Sequence, residues 1–241
     1  MKASEIINVI NEIEESAPVE QWTVDGVHVW PLIRIQLGMD LFASGEVVIP
    51  HPSGTPRVWR RAVNRLKSYM TYMAASWTDR REEDVDFGEA QALFLSDGVS
   101  FTALEGKYYE RFCDPLRSHL DSIGVRSLML TPLDHFRIPR FSPSKFIQPQ
   151  LDWIQIKRTI FWRNHSDNEY LPGFDLILEQ LRKKTPAVAP EVARIRQHIS
   201  LVIAFSRYFE DLLERVRPRI CFLVSYYWLV GYGLLLACKR K

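Results

Sequence analysis

An α/β fold, in which helices flank a parallel β-sheet, is predicted by three features of this 241-residue sequence. Two short and largely apolar runs, 92–96 and 220–224, are typical of strands that are buried on both faces of such a sheet. Each run passes into a loop and then into a helical pattern, so strand and helix alternate along the chain. A further run of this kind, 125–130, follows a helix that closes at Gly124. Because parallel strands end at one edge of their sheet, we expect a Rossmann-like domain whose loops form a single rim.

The composition limits the classes of function open to the chain. Apolar residues make up 46% of it and charged residues 25%, which is enough for a sizeable core. The 31 basic and 29 acidic residues leave a net charge of +2, so no overall field attracts nucleic acid and we expect no nucleic-acid partner. The three cysteines, Cys113, Cys221 and Cys238, lack the spacing of a zinc site or of a disulfide framework. We therefore predict no metal site and a reducing, cytoplasmic location.

Residues 1–78 are predicted to form a mainly helical N-terminal extension. Its first helix is amphipathic, and four apolar residues fall on one face: Ile6, Val9, Ile10 and Ile13. Asp25 and Gly26 form a tight-turn dipeptide between two extended runs, and Pro31 suits the start of a helix over 32–42. We expect Trp22 and Trp30 to form a small satellite core next to this turn.

A second amphipathic helix is predicted over 59–77. It and the residues before it carry five cations and no acid ahead of Asp79: Arg57, Arg60, Arg61, Arg65 and Lys67. Such a face is compatible with an anionic membrane surface, and equally with a helix that packs on a core and keeps its basic side in water. An acidic linker, 79–90, is predicted to follow and to separate the extension from an α/β domain over 91–241.

The loop after the first strand is the predicted ligand site. It has glycines that allow sharp turns, and its polar residues lie at a strand's carboxyl end, where α/β sheets bind ligands. The candidate residues are Ser96, Asp97, Gly98, Ser100 and Lys107. The alternative is an ordinary crossover loop that leads into a helix over 108–122. Neither a dinucleotide fingerprint nor a Walker-type phosphate loop is present, so we expect no cofactor in this chain.

Two other segments are predicted to reach the same rim. Residues 132–149 interleave prolines, aromatics and cations such as Arg137, and they either grip a phosphate or a sugar or pack on the first helices. Tyr226 and Tyr227 follow the strand 220–224. The uncharged stretch 220–238 fits a strand followed by a helix better than a membrane span.

These segments resemble the N-terminal domain of bacterial GT-B glycosyltransferases that build capsule or lipopolysaccharide glycans. Arg217-Pro218-Arg219, the strand over 220–227 and the helix from about Gly231 are similar to the last βα unit of that domain. Residues 96–100, followed by Gly106-Lys107-Tyr108-Tyr109 and Asp114-Pro115-Leu116, resemble its first strand, loop and helix. The start of the chain, with Trp22 and 30–34, is similar as well.

The resemblance implies transfer of a sugar from a nucleotide-sugar donor to a glycan or lipid-linked glycan acceptor. In that family a second Rossmann-like domain holds the donor, so we expect this chain to be an acceptor-side half that lacks the following domain. Asp97 is then the expected base. The other rim residues would position acceptor or phosphate: Ser96, Gly98, Ser100, Lys107, Arg137, Tyr226 and Tyr227. The expected location is cytoplasmic, at the inner membrane face, and the alternative function is a non-catalytic membrane-peripheral or partner-binding module.

Overall fold

The computed structural model of the chain describes residues 3–46, 70, 90–96, 101–104, 107–131, 146–147, 151, 154, 171–186 and 188–241. Every structural statement below refers to these residues. The helices are α1 (Ala3–Ser16), α2 (Trp30–Glu46), α3 (Cys113–Ser122), α4 (Phe174–Lys184), α5 (Ala189–Ala193), α6 (Ile195–Val216) and α7 (Leu229–Arg240). The strands are β1 (Thr23–Val24), β2 (Val27–His28), β3 (Ala92–Leu95), β4 (Phe101–Leu104), β5 (Lys107–Glu110), β6 (Ser127–Thr131), β7 (Phe146–Ile147) and β8 (Ile220–Leu223).

A parallel sheet with the order β7-β6-β3-β8 confirms the predicted α/β fold. Leu93 of β3 lies opposite Leu128 of β6 on one side and opposite Cys221 of β8 on the other. The two apolar runs therefore lie side by side and point in the same direction, as predicted. Of the four strands in this sheet, β3 comes first along the chain. It lies between β6, which is the second, and β8, which is the fourth. That order is typical of doubly wound, Rossmann-like sheets.

Helices cover both faces of the sheet. Leu93 and Leu95 point to one face and pack in a core with α6 and α7. Phe94 points to the other face, where its ring stacks on Phe222 at 4.6 Å between centroids and where Cys113 of α3 is buried. This alternation explains why β3 is apolar throughout, since both of its faces are inaccessible to water.

The helix α6 is the predicted crossover into β8. Its last residue, Val216, is followed by Arg217, which has a left-handed backbone with φ of 50°, and then by Pro218. The predicted single helix over 190–217 is divided at Arg194 into α5 and α6. The helix α7 lies beside α6 and runs in the same direction. This is shown by two contacts, since Gly233 approaches Phe205 and, farther along both helices, Lys241 pairs with Glu214.

The N-terminal helices belong to the largest core of the chain. The turn at Asp25 and Gly26 is confirmed, with φ of 51° and 72°, as a type I′ hairpin turn requires. Trp22 is fully buried, meets Trp30 edge to face at 5.3 Å, and donates from Nε1 to the carbonyl of Pro172 at 2.9 Å. The predicted satellite core is therefore wrong, since these tryptophans join α1 and α2 to α4, α5, α6 and α7. A mainly helical extension distinct from the α/β part is not confirmed.

The segment after β3 also differs from the prediction. Residues 101–104 and 107–110 form the antiparallel hairpin β4-β5, and α3 begins only at Cys113, so the predicted helix start at 108 is wrong. The aromatic pair Tyr108-Tyr109 favours an extended backbone. Glu110 fixes the helix start, because its Oε2 accepts from the backbone N–H groups of Phe112 and Cys113.

No helix among the described residues is long and apolar enough to cross a membrane. The uncharged stretch 220–238 forms β8 and most of α7, which confirms the predicted strand and helix. The predicted acidic linker lies almost entirely outside the described residues. The division of the chain into domains therefore stays a prediction.

Candidate functional site

The strand order puts the switch point of the sheet, where a ligand-binding crevice is expected, at the carboxyl ends of β3 and β8. Chain connections leave these two neighbouring strands toward opposite faces of the sheet, and ligands of doubly wound folds bind at such a switch point. Backbone pairing continues just past both strands, because Ser96 N–H donates to Leu130 at 3.0 Å and Val224 N–H donates to Leu95 at 3.3 Å. Ser96 and Val224 are therefore still part of the hydrogen bonding of the sheet.

Two serines lie at this switch point. Ser96 follows β3 and is fully buried, and Ser225 follows β8 by two residues and is 5% exposed. The first turn of α7 packs tightly on this point, since a Cβ atom on Gly231 would overlap the carbonyl oxygen of Ser225. The amino end of α7 therefore lies at the rim, where the helix dipole adds positive potential.

Two tyrosines border the same crevice on its solvent side. Tyr226 is 59% exposed and Tyr227 is 46% exposed, and their rings meet edge to face at 5.7 Å. The carbonyl of Tyr227 accepts a hydrogen bond from Nε2 of Gln36 at 3.0 Å. This contact brings α2 to the rim, which the sequence did not indicate.

The remaining predicted residues are less completely described. Lys107 is the first residue of β5, and its side chain lies outside the described part of the structure. The other rim candidates also lie outside the described residues: Asp97, Gly98, Ser100 and Arg137. The same holds for the predicted membrane-contact residues Arg57, Arg60, Arg61, Arg65 and Lys67.

A second polar group, formed by Asp40, His198 and Arg194, was not predicted. His198 Nε2 lies 3.5 Å from Asp40 Oδ2, and Arg194 Nη1 lies 3.8 Å from Asp40 Oδ1. Burial, and then the charge of Arg194, lower the pKa of His198 to about 4, so its imidazole is neutral at pH 7. Burial raises the pKa of Asp40, and the charge of Arg194 partly offsets this.

This Asp40–His198 group lies near the same edge of the sheet as the rim, which is the edge where the parallel strands end. Gln36, which contacts the rim, precedes Asp40 by about one turn of α2. The amino end of α6, where His198 is found, also extends past the carboxyl ends of the strands, because α6 runs antiparallel to them. His198 Nδ1 is buried and has no hydrogen-bond partner among the described residues. A pKa near 4 makes His198 a weak base at neutral pH.

No known protein family, curated protein or solved structure matches this chain. Within the described residues, no group of three or more His, Cys, Asp or Glu side chains could hold a metal ion. The candidate site therefore consists of the crevice between β3 and β8, its two serines and two tyrosines, and the polar group on the same side of the sheet.

Proposed function

We propose that this chain is the acceptor-side half of a glycosyltransferase of bacterial surface polysaccharide synthesis. The observation that supports this is the strand order, which puts the switch point of the sheet between β3 and β8. Ser96, Tyr226 and Tyr227, to which the family resemblance assigns acceptor binding, follow these same two strands. The acceptor would be a glycan or a lipid-linked glycan.

The exposed tyrosines suit a sugar acceptor. Each ring offers an apolar face against the C–H groups of a pyranose and a hydroxyl that can donate to a sugar oxygen. Their edge-to-face contact holds the two rings at a fixed angle without covering them. Such a pair can bind an extended oligosaccharide without any contact to a nucleotide.

Asp97 is the proposed general base, because it directly follows Ser96 at the end of β3. As the acceptor hydroxyl attacks the anomeric carbon of the donor, a new C–O bond forms and the bond to the nucleotide diphosphate breaks. The hydroxyl proton passes to the Asp97 carboxylate. The donor would be held by a second domain, so this chain would bind the acceptor and provide the base.

Acceptor binding can be tested on this chain alone. Saturation-transfer NMR would be recorded with oligosaccharide fragments of bacterial capsules and lipopolysaccharides, and with nucleotide sugars for comparison. We expect an oligosaccharide to bind, the nucleotide sugars not to bind, and the double variant Tyr226→Ala/Tyr227→Ala to bind at least about tenfold more weakly.

Phe112→Ala is the matched control, because Phe112 is a 64% exposed aromatic residue at the start of α3, and α3 packs on the face of the sheet opposite α7. This control should bind like the unchanged chain. Equal weakening in the control and in the double variant, or no binding by any oligosaccharide, would overturn the proposal.

The base has a separate test. In an assay that combines this chain with the donor-binding domain, nucleotide-sugar donor and acceptor, Asp97→Asn should lower turnover at least about a hundredfold, which is the usual contribution of a general base. Acceptor affinity should be unchanged. Retained turnover would remove Asp97 from the mechanism and leave the binding proposal intact.

The cationic segment 57–67 favours a second function, that of a membrane-peripheral module. Five cations without a carboxylate add attraction to anionic lipid at about 1 kcal/mol each near the surface. We expect the chain to sediment with vesicles of phosphatidylcholine and phosphatidylglycerol but not with phosphatidylcholine alone. Sedimentation that does not depend on lipid charge would exclude this function.

A further inference from the structure

A cavity of about 550 Å³ lies beside β8, at the end of the sheet opposite the crevice. It is bordered by the carboxyl ends of α6 and α7 and by the start of β8. All three segments lie at the edge of the sheet where the parallel strands begin. Its apolar wall is formed by Leu213, Leu223 and Leu235. The volume is within the range of small-molecule sites in proteins. The transfer reaction proposed above does not use this cavity.

Two thiols face this cavity from different elements. Cys221 is in β8 and is half-buried, and Cys238 is in the last turn of α7 and is exposed. The side chain of Cys221 packs in the same core cluster as Ala237, the neighbour of Cys238, so the two thiols approach each other from β8 and from α7. Two thiols that share one cavity can form a disulfide where side-chain rotation brings the sulfurs to about 2 Å.

Exposure makes the two thiols unequal, since Cys238 is exposed whereas Cys221 is half-buried. The interaction with Cys221 also lowers the pKa of Cys238, which burial partly opposes, and the interaction with Cys238 raises the pKa of Cys221, to which burial adds. The carbonyl end of α7 disfavours a thiolate at Cys238, whereas the three cations that border the cavity favour one. Cys238 is therefore the nucleophile of the pair, and Cys221 is the resolving thiol.

The lining of the cavity is cationic. Arg217, Arg219 and Lys241 border it, whereas no acidic residue does so among the described residues. Lys241 pairs with the carboxylate of Glu214, and Arg217 donates from Nε to the backbone carbonyl of Glu214 at 3.2 Å. In the described part of the chain no carboxylate pairs with Arg219. The cavity therefore attracts anions to the thiols.

We propose that Cys221 and Cys238 form a redox-active dithiol that reacts with small anionic disulfides of the glutathione type. The Cys238 thiolate attacks one sulfur of the small disulfide, whose S–S bond breaks and whose other half leaves as a thiolate. Cys221 then loses its proton to solvent and attacks the Cys238 sulfur, which releases the second half. The protein gains a disulfide between β8 and α7, and the small disulfide is reduced to two thiols.

The reaction can be followed on the full chain by intact mass and peptide mapping after addition of oxidised glutathione. The unchanged chain should lose two hydrogens and keep no glutathione. Cys221→Ser should retain one glutathione on Cys238, and Cys238→Ser should react at least about tenfold more slowly. Cys113 is an internal control, because it is buried and burial raises its pKa, so it should stay reduced. Glutathione retained on both cysteines of the unchanged chain would overturn the dithiol.

The charge of the cavity has its own test. Rates with oxidised glutathione, 2-hydroxyethyl disulfide and cystamine, which are anionic, neutral and cationic, would each be divided by the rate of the urea-unfolded chain. We expect the folded chain to favour oxidised glutathione over cystamine about tenfold at low salt, and less at high salt. Arg219→Gln should reduce this preference, whereas Arg207→Gln, an exposed position of α6 outside the cavity, should not. Equal normalised rates would refute the preference for anions.

Discussion

Replacement of Gly233 by alanine should destabilise the protein, because α6 and α7 are in close contact at this residue. A Cβ atom on Gly233 would lie 2.5 Å from the Cβ of Phe205 and 3.1 Å from the backbone atoms Phe205 C and Ser206 N. Carbon atoms in contact need about 3.5 to 4.0 Å. Since two of these atoms are backbone, the clash is relieved only if the two helices separate.

Two effects of opposite sign decide the size of the change. Alanine is a better helix former than glycine by about 1 kcal/mol, which favours the variant. Overpacking of a buried contact costs about 1 to 3 kcal/mol and sometimes more. Because the contact is with backbone, we expect the upper part of this range and a net loss of about 2 kcal/mol. For a chain of this size, that loss lowers the melting temperature by about 4 to 8 °C.

Gly38→Ala is the matched control. Gly38 is also inside a helix, α2, but a Cβ atom there would meet only Ile10 Cδ1, at an ordinary 3.8 Å. The gain in helix propensity is then unopposed, so this variant should melt about 2 to 4 °C above the unchanged chain. Far-UV circular dichroism during heating measures both variants. A Gly233→Ala variant that is as stable as Gly38→Ala would refute the close approach of α6 and α7.

Stability should also decrease as the pH falls from about 6.5 to about 4, because the folded state holds the pKa of His198 near 4 and the unfolded state binds the proton earlier. Asp40, whose pKa is raised, contributes in the opposite direction. Urea midpoints measured across this pH range should therefore depend less on pH in His198→Gln than in the unchanged chain. An unchanged pH slope would contradict the role of His198. Trp22→Ala should cost about 3 to 5 kcal/mol, since its side chain is fully buried between Trp30 and Phe174. Phe112→Ala should change the free energy of unfolding by no more than about 0.5 kcal/mol, and similar losses in both variants would contradict the core described for Trp22.

Three strands of the parallel sheet, β3, β6 and β8, were predictable because each contains a run of adjacent apolar residues, whereas β7 lies in 132–149, where no strand was predicted. An uninterrupted apolar run such as 92–95 is typical of a strand with both faces covered, and the turn at Asp25 and Gly26 is specified by the two residues that adopt positive φ. The hairpin β4-β5 was missed, because its strand pattern overlaps a helical pattern that continues into α3. Local periodicity does not distinguish the two where the apolar runs are short.

The candidate sites also differ in how far the sequence alone predicts them. The placement of Ser96, Tyr226 and Tyr227 near one edge of the sheet was predictable, because Ser96 directly follows β3, the tyrosines come shortly after β8, and parallel strands end at one edge. The Asp40–His198 pair and the Cys221–Cys238 pair were not, because each joins two elements whose contact depends on how helices pack on the sheet. No spacing in the sequence indicates such contacts.

The amino-acid sequence by itself determined the strands β3, β6 and β8, most of the helices and the polar residues near the strand ends, since these properties depend on neighbours along the chain. Only the tertiary structure decided the hairpin β4-β5, the order of the strands, the attachment of α1 and α2 to the helices near the end of the chain, and the position of two thiols beside three cations. The physical reason is that packing depends on surfaces formed by residues far apart in the chain. Those surfaces exist only once the helices and the sheet are in contact.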